Sequence, residues 1–481
     1  MANIIPYIAR MCTVPNICKY RILKRINMSL KLNRQYSSAL FVSGRKAMEI
    51  CAHITPYLDF DDKLVDLDIF QRNLTSRGFN VDAKEVKEVW EFYKSVNAER
   101  DYLESKLEKV IYQMRQSQKN LTAETKLELD GLIQQFTVVK HDLKVVKETL
   151  WDLSECVVEK MLMLPNDLDD RTPLHSPSVL KTIGTLSEFS ETGSKKNHIE
   201  IGKDLGLLEY RNPMEYYMCN DAALFELGVL SYAGKIFSDN DMIRIAGADF
   251  SRSLVVEGCG MNHEDPMHAF IINNHTEVEK NSSNHMHLVG GASLVSFLAM
   301  HAKQLINPKK FPVKYFSTGR QYTPFSPTST PLGLFTACQA SVAHTFVLVK
   351  DANSPDYHAE FEQLLNTVCK LYDNVCDHYR VVTRSASELR PWERMRVSFE
   401  LWSPYLKQYI EVGHISTCGN YLSKRLLIAY QTPTGRDFPS AITGTVMSVP
   451  RLLGCLLEQN PGRFIIPEKI VEHLPIDHPL P

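Results

Sequence analysis

Residues 315–344, YFSTGRQYTPFSPTSTPLGLFTACQASVAH, carry the clearest structural pattern in the chain. The first part reads as a strand that contains Gly319 and Arg320. A segment rich in Pro, Ser and Thr follows at 324–331, and apolar residues resume at Leu332. Because Pro and Ser favour loops and such apolar runs favour strands, the pattern predicts a β-hairpin with a long tip.

Charge is distributed unevenly along the 481 residues. Residues 1–48 contain nine Lys and Arg but no Asp or Glu, which leaves 45 basic and 56 acidic residues in the remainder. A basic, acid-free leader with interspersed Ile, Leu and Met is typical of a mitochondrial transit peptide. The sequence at 34–37, RQYS, resembles a processing site with cleavage before Ser37. We therefore expect a transit peptide at 1–36 and a mitochondrial matrix location; the alternative is a basic arm that binds nucleic acid.

The acidic remainder argues against a broad electrostatic affinity for nucleic acid, so any RNA contact must come from a local patch. The eleven cysteines form no C-x-x-C pair, and the sixteen histidines form no H-E-x-x-H motif. Neither a metal site nor a disulfide framework is therefore expected. No apolar run is long enough to cross a bilayer, and no membrane insertion is expected.

Two long apolar stripes at helical spacing follow a short segment at 37–81. Asp82 stands three residues before Glu85, a capping-box arrangement that predicts the start of a helix. The first stripe repeats every three to four residues over 86–114 and is broken only by Arg100. This spacing is typical of a coiled-coil helix.

A polar break at 116–122 separates the first stripe from a second, which runs over 129–157. Two helices joined by a short turn pack antiparallel along their apolar seams, which predicts an arm at 82–164 about 50 Å long. The alternative is a compact bundle. Four basic residues near the turn are candidate RNA-binding positions, because only Glu124 offsets their charge there: Lys109, Arg115, Lys119 and Lys126. The alternative is a charged helix face that is simply solvated.

Strand and helix patterns mix over 199–481, beyond a linker at 165–198. Strands are predicted at 253–256, 270–272, 346–349, 410–412 and 426–430, and helices at 222–237, 293–305, 359–377 and 449–458. Strands outnumber crossover helices, which favours a mostly antiparallel sheet flanked by helices over a doubly wound parallel sheet. The expected fold class is α+β, preceded by the two-helix coiled coil.

Several motifs, in this order, resemble the seryl-tRNA synthetases. They are LPND at 164–167, HIEIGKDLGLLE at 198–209, VVEGCGM at 255–261, the KYFSTGRQY hairpin at 314–322 and TGTVMSVPRLLGCLLE at 443–458. The resemblance runs from about residue 60 to the C-terminus. It implies the class II synthetase fold, with an antiparallel sheet that holds ATP and serine, a dimer, and an arm that reaches for tRNA. The leader and altered motifs together resemble the seryl-tRNA synthetase-like mitochondrial proteins of insects, a paralogous group regarded as non-charging.

The resemblance also implies which charges the reaction needs. Forming seryl-adenylate requires cations beside the phosphates, acidic groups for Mg²⁺ and a carboxylate for the serine ammonium. On the hairpin, Thr323 and Phe325 stand where the family pattern F-R-x-E has its Arg and Glu. Further along, Thr336 and His344 replace another Arg and Glu, while Gln339 is retained.

Other parts of the family's site are altered in the same way. Ser293 stands where the T-x-E loop has the carboxylate that holds the serine ammonium, and Thr417 replaces the Asn of the S-x-S-N-C segment. Motif 3 has Thr443 for Asn and Thr445 for Ser, and Ala248 stands at the dimer-interface proline of motif 1. The retained positions of the family's ATP site are Gln339, Glu411 and Arg451.

Each lost electrostatic contact costs about 10²–10³ in rate, and each truncated charge-assisted hydrogen bond about 1.5–3 kcal/mol, although the losses are not additive. The sequence therefore predicts a protein without serine–tRNA ligase activity and with weak or absent ATP and Mg²⁺ binding. It is expected to bind RNA, such as serine tRNA, in mitochondrial translation or maintenance, as a homodimer or as a heterodimer with the authentic mitochondrial seryl-tRNA synthetase. The alternatives are a divergent active synthetase, which the three retained positions favour, and a regulatory scaffold that binds proteins.

Overall fold

The computed structural model of the protein describes residues 38–40, 54, 56–58, 60–118, 123–186, 194–272, 285–326 and 328–475, without the side chains of 123–127 and 155–156. The predicted transit peptide at 1–36 lies outside these ranges. The chain forms two compact units that divide between Leu164 and Pro165, and residues 38–40, 54 and 56–58 belong to the second. No helix in the described ranges is both long and apolar enough to span a lipid bilayer.

In the described residues, the first unit contains a 3₁₀ turn at Asp62–Leu64 and three α-helices: α1 (Leu67–Ser76), α2 (Ala83–Ser117) and α3 (Ala123–Leu162). Asp82 caps α2, because its carboxylate accepts a hydrogen bond from the Lys84 N–H at 2.8 Å, and this confirms the predicted helix start. The sequence analysis did not predict α1, which Asp66 caps through the N–H groups of Asp68 and Ile69.

The two long helices pack on each other along the predicted apolar seams. Because they are consecutive and joined over 118–122, they run antiparallel. Lys147 of α3 pairs with Glu104 of α2 at 2.7 Å, an exposed contact of the kind that adds little stability. The seam residues supply the stabilisation, and those that are buried are Val86, Val89, Val96, Leu103, Val110, Val139, Leu143, Val146, Leu150, Leu153 and Val157.

An eight-stranded sheet organises the second unit. The strands that the structure describes in this unit are, in chain order, β1 (Ser178–Ile183), β2 (Leu208–Asn212), β3 (Glu215–Met218), β4 (Ile243–Arg244), β5 (Phe250–Arg252), β6 (Phe270–Ile272), β7 (Met286–Leu288), β8 (Leu305–Ile306), β9 (Val313–Tyr322), β10 (Gln339–Val349), β11 (Tyr379–Thr383), β12 (Met395–Ser403), β13 (Gln408–Gly419), β14 (Ala429–Thr432), β15 (Gly435–Asp437) and β16 (Ser440–Ser448). The large sheet has the order β1-β11-β12-β13-β16-β10-β9-β4. Every pair is antiparallel except β4 with β9, which confirms the predicted fold class.

The helices of this unit flank the sheet. Outside the residues that the structure leaves undescribed, they are α4 (His198–Asp204), α5 (Asp221–Asp239), α6 (Ser253–Gly258), α7 (Leu294–His301), α8 (Pro355–Asp373), α9 (Tyr421–Leu426), α10 (Val449–Gln459) and α11 (Glu468–Val471). On one face, Val347 of β10 packs in a core with α5, α8 and α10. On the other face, the neighbouring Phe346 stacks on Phe297 of α7 with ring centroids 5.4 Å apart. Layers on both faces explain why β16 is buried along its whole length.

Several predicted boundaries are wrong, among them the end of the helix predicted at 293–305, which stops at His301 before β8. The second strand of the hairpin begins at Gln339 rather than Leu332, because a 3₁₀ turn at Gly333–Thr336 comes first and Gly333 has a φ of +60°. Residues 253–256 belong to helix α6 and not to a strand, and 426–430 spans the end of α9 and the start of β14. Short apolar runs do not distinguish a buried strand from a buried helix, which accounts for the last two errors.

Candidate functional site

A cavity of about 530 Å³ lies beside the β9–β10 hairpin. Its walls come from the hairpin, from the start of α7 and from β12, β13 and the β16–α10 junction. This volume falls within the range of small-molecule sites. Its lining residues include seven positions that the sequence analysis discussed: Ser293, Thr323, Phe325, Thr336, Glu411, Thr445 and Arg451.

The hairpin side of the cavity is uncharged at three positions that the sequence analysis aligned with charged residues of the synthetases. Thr323, Phe325 and Thr336 all line the cavity. The Thr336 hydroxyl is used within its own turn, where it donates to the Gly333 carbonyl at 3.2 Å and accepts from the Leu332 N–H at 2.9 Å. None of these three side chains can neutralise a phosphate.

Gln339 lies outside the cavity although it belongs to the same hairpin. Its amide donates to the Met214 carbonyl at 3.1 Å, while the next residue, Ala340, lines the cavity. Successive side chains of a strand point to opposite faces of the sheet, so Gln339 and Ala340 cannot share one side. Of the three retained positions, only Glu411 and Arg451 meet in the cavity wall.

Ser293, which the sequence analysis aligned with the ammonium-binding carboxylate of the synthetases, acts as a helix cap. Its hydroxyl donates to the Gly290 carbonyl at 2.7 Å and accepts from the Ser296 N–H at 3.3 Å, so it starts α7. The side chain is 4% exposed. It therefore offers an incoming ligand neither a negative charge nor a spare donor.

His344, Thr443 and Thr445, which the sequence analysis gave as altered positions, form a buried cluster of hydrogen-bonded side chains. The His344 ring bonds through Nε2 to the Thr443 hydroxyl and through Nδ1 to the Thr445 hydroxyl, both at 3.0 Å. The Thr443 hydroxyl donates to the Thr345 carbonyl at 2.9 Å, so Nε2 must be the ring donor and Nδ1 the acceptor. Burial, together with His414 and Arg390, lowers the pKa of His344 to about 3, so the ring is neutral.

Gly444 allows β16 and β13 to approach each other closely. The Cβ of an alanine at Gly444 would lie 2.0 Å from the His414 carbonyl oxygen, so a side chain there would separate β16 from β13.

Thr417, which stands in place of Asn, is completely buried, and its hydroxyl has no hydrogen-bond partner among the described residues. The substitution has left an unpaired polar atom, and nothing in the structure explains it.

Glu411 is already bound to protein groups. Its carboxylate pairs with the Arg396 guanidinium, accepts from the Ser398 hydroxyl at 2.6 Å and lies 3.4 Å from Arg384. Burial opposes its ionisation, but the charge of Arg396 and its bonds to His414 and Ser398 hold its pKa well below the usual value. Across the described ranges, no group of three or more His, Cys, Asp or Glu could hold a metal ion.

Sequence reasoning missed the arginines of the opposite wall. Arg390 and Arg396 line the cavity beside Trp392, on the segment RPWERMR at 390–396. Burial and the charges of Arg396 and Arg451 lower the pKa of Arg390. Three arginines within seven residues, two of them two positions from Trp392, were the signal that could have identified this wall.

The candidate RNA-binding residues lie far along the chain from the cavity. Lys109 and Arg115 are exposed on α2. Lys119 and the Lys126 side chain lie outside the described parts of the structure. Ala248, at the position of the motif 1 proline, is exposed between β4 and β5.

Comparison with known proteins identifies the second unit. Residues 277–460 match the class II core domain of the tRNA synthetases for G, H, P, S and T. Serine–tRNA synthetase-like protein Slimp of Drosophila melanogaster is 26% identical over 446 residues, which cover 91% of this chain and 92% of that protein. The chain therefore contains a class II tRNA synthetase core domain. The mitochondrial serine–tRNA ligase of Mus musculus is 23% identical over 68% of this chain and 64% of that protein.

The fold of the chain is also that of a solved synthetase. The seryl-tRNA synthetase of Pyrococcus horikoshii, complexed with ATP, superposes with a TM-score of 0.73 over 86% of this chain and 98% of that chain. The two are 16% identical, so the likeness concerns the fold. Function must be argued from the site itself.

Proposed function

We propose that the chain is a mitochondrial seryl-tRNA synthetase-like protein without serine–tRNA ligase activity, which binds serine tRNA and acts in mitochondrial translation or maintenance. The cavity wall carries the main support. Thr323, Phe325 and Thr336 stand where charges are needed, and Glu411 is occupied by Arg396 and Ser398.

Weak or absent ATP binding follows from the same contacts. A polyphosphate needs cations on the hairpin side and a metal ion held by free carboxylates, and the described site offers Thr323 and a neutralised Glu411 instead. The ammonium group of a bound serine would find no partner at Ser293, because the Ser293 hydroxyl caps α7. The site retains the shape of a synthetase without the groups that stabilise the transition state.

Titration calorimetry with ATP and Mg²⁺ tests this binding claim. We expect no saturable heat up to about millimolar ATP, since several charge-assisted contacts of about 1.5–3 kcal/mol each are missing. An active seryl-tRNA synthetase, titrated in the same buffer, is the positive control. Saturable micromolar binding would contradict the proposal.

We assign RNA binding to the arm tip, the end of the two-helix arm where α2 ends and α3 begins. The similar protein of Mus musculus is a mitochondrial serine–tRNA ligase by name, and Lys109 and Arg115 are exposed on α2. Reversing Arg115 and Lys119 to Glu is expected to weaken binding of serine tRNA by about 10-fold or more and to reduce the salt dependence, because two phosphate contacts become repulsive. Filter binding at two salt concentrations measures both effects. Lys84→Glu, at the other end of α2, is the matched control, and unchanged binding by the double variant would remove the arm tip from the account.

Dimer formation completes the proposal, with either a second copy or the authentic mitochondrial synthetase as the partner. The exposed Ala248 segment, where the family has its motif 1 interface, supports this assignment. The matrix location is supported by the acid-free basic leader. Analytical ultracentrifugation of the chain, alone and with the authentic synthetase, distinguishes the two partners.

A further inference from the structure

A buried tripeptide from the N-terminal part of the chain belongs to the second unit. Ser38, Ala39 and Leu40 have exposed fractions of 3%, 7% and 0%. In sequence, the arm separates them from every described helix and strand of that unit. The tripeptide itself forms neither helix nor strand, so no regular backbone ladder holds it in place.

One carboxylate binds the tripeptide at all three residues. Glu257, near the end of α6, is itself buried. One of its oxygens accepts from the Ala39 N–H at 2.6 Å and from the Leu40 N–H at 2.7 Å, and the other accepts from the Ser38 hydroxyl at 2.8 Å. Successive backbone N–H groups that converge on one oxygen form an anion-binding nest. Hydrogen bonds to a charged acceptor are about twice as strong as neutral ones, so a carboxylate suits this peptide better than an amide would.

The contacts define the class of peptide that fits. The first position donates through a hydroxyl, which requires Ser or Thr. The second and third positions donate backbone N–H groups, which excludes Pro at both. Ala39 and Leu40 are buried, so the second residue is small and the third supplies the apolar surface. The ligand class is therefore a short peptide with Ser or Thr, then a small residue, then a large aliphatic residue.

The same helix leads directly into the cavity wall. The Gly260 N–H bonds to the Glu257 carbonyl at 2.7 Å, and the Met261 N–H bonds to the Val256 carbonyl at 3.4 Å. Both Gly260 and Met261 line the cavity. The side chain of Glu257 thus holds the tripeptide while its carbonyl holds the cavity wall, so one residue connects the two.

We propose that Glu257 is the centre of a peptide-binding site, filled here by residues 38–40, which a peptide of the same class can also fill from a separate molecule. Filling the site orders the cavity wall at 259–261. Glu257 is not among the described residues that line the cavity, so the site is separate from it. Its ligand is neither a nucleotide nor an RNA.

Fluorescence polarisation of the full chain with labelled peptides tests the site. The probe is SSALFV, the sequence of residues 37–42, and the matched probe SSADFV has aspartate in place of the leucine. In the wild-type chain, residues 38–40 compete at an effective concentration of about millimolar, so little binding of either probe is expected. Leu40→Asp empties the site, because its folded state would otherwise bury a charge. This variant is expected to bind SSALFV saturably, and SSADFV at least about 10-fold more weakly.

Two further variants locate the site. Adding Glu257→Gln to Leu40→Asp is expected to weaken SSALFV binding by about 10- to 100-fold, because the charge-assisted hydrogen bonds are lost. Leu180→Asp, at an exposed position of β1, is the matched control for the added charge and is expected to behave like the wild type. SSALFV should also raise the melting temperature of Leu40→Asp, which a chain that had failed to fold could not show.

Hydrogen exchange tests the connection to the cavity wall. In Leu40→Asp, SSALFV is expected to slow amide exchange over 255–261 by about 10-fold or more, and SSADFV is expected to leave it unchanged. Glu257→Gln in the otherwise wild-type chain provides a second measurement that does not need Leu40→Asp to fold. It is expected to speed exchange of the Ala39 and Leu40 amides by about 10-fold or more, since both lose their charged acceptor.

The contrary results are equally specific. Absence of SSALFV binding by folded Leu40→Asp, equal affinity for SSADFV, or undiminished binding after Glu257→Gln would each overturn the site. Binding without slower exchange over 255–261 would reject its connection to the cavity wall. If Leu40→Asp does not fold, unchanged exchange of the Ala39 and Leu40 amides in Glu257→Gln would reject the site.

Discussion

Replacing Glu257 by alanine is expected to destabilise the synthetase-like unit by about 3–5 kcal/mol. The Glu257 carboxylate is 4% exposed and accepts hydrogen bonds from a segment more than two hundred residues earlier in the chain. The donors are the Ser38 hydroxyl at 2.8 Å, the Ala39 N–H at 2.6 Å and the Leu40 N–H at 2.7 Å. Removing the carboxylate leaves three buried donors without this partner, and each such donor costs about 1–3 kcal/mol.

Denaturant unfolding of Glu257→Ala measures this loss, with Glu209→Ala on the exposed face of β2 as the control. The control is expected to stay within about 0.5 kcal/mol of the wild type. A chain that starts at Phe41 lacks all three donors and should lose a similar free energy. In that shortened chain, Glu257→Ala should add little, because both changes remove the same contacts. Wild-type stability in Glu257→Ala would show that the segment at 38–40 is not anchored in this way.

Stability is also expected to fall steeply as the pH drops from about 7 to 5. Four buried histidines have pKa values below the ordinary 6.5, with burial as the main cause: His301, whose pKa is lowered, His344, at about 3, and His414 and His287, at about 4. A depressed folded-state pKa means that the unfolded chain takes up the proton first. The stabilisation is complete above about 6.5 and is lost as the pH falls toward the folded-state values.

The expected loss between pH 6.5 and pH 5 is about 2 kcal/mol for each histidine with a pKa of about 3 or 4, since one pKa unit corresponds to about 1.4 kcal/mol. Chemical unfolding at pH 7, 6 and 5 measures it. His344→Gln keeps a neutral group between Thr443 and Thr445 and should remove the contribution of His344 to the loss of stability at low pH. The control His268→Gln, at an exposed position, should leave the dependence of stability on pH unchanged. Equal stability at pH 7 and pH 5 would show that the buried rings titrate as if exposed.

The architecture could be predicted from sequence because long patterns carry it. The stripes over 86–114 and 129–157 became α2 and α3, and alternation of strands with flanking helices gave the antiparallel sheet. The errors concern short segments whose conformation depends on tertiary contacts. Residues 253–256 form a helix whose first N–H bonds to the His285 carbonyl, a contact that no local pattern reveals.

The candidate site was only partly predictable, for reasons of geometry. The chemistry missing from the hairpin could be inferred from residue types, because Thr323 and Phe325 cannot carry a charge. Gln339 points toward Met214 and away from the cavity because side chains alternate between the two faces of β10. The sequence analysis placed the start of this strand at Leu332, so it could not assign Gln339 to a face. The anchoring of 38–40 on Glu257 joins residues far apart in sequence and required the folded chain.

Serine-dependent ATP–pyrophosphate exchange by the purified chain starting at Ser37 tests the central claim most directly. The measurement is made on the chain alone and with the authentic mitochondrial seryl-tRNA synthetase, whose own activity is the positive control. We expect no exchange above background from the chain alone, because the loss of several preorganised charges costs about 10²–10³ in rate for each contact even before their coupling is considered. Robust exchange by the chain alone would mean that the cavity still activates serine, and it would contradict the account.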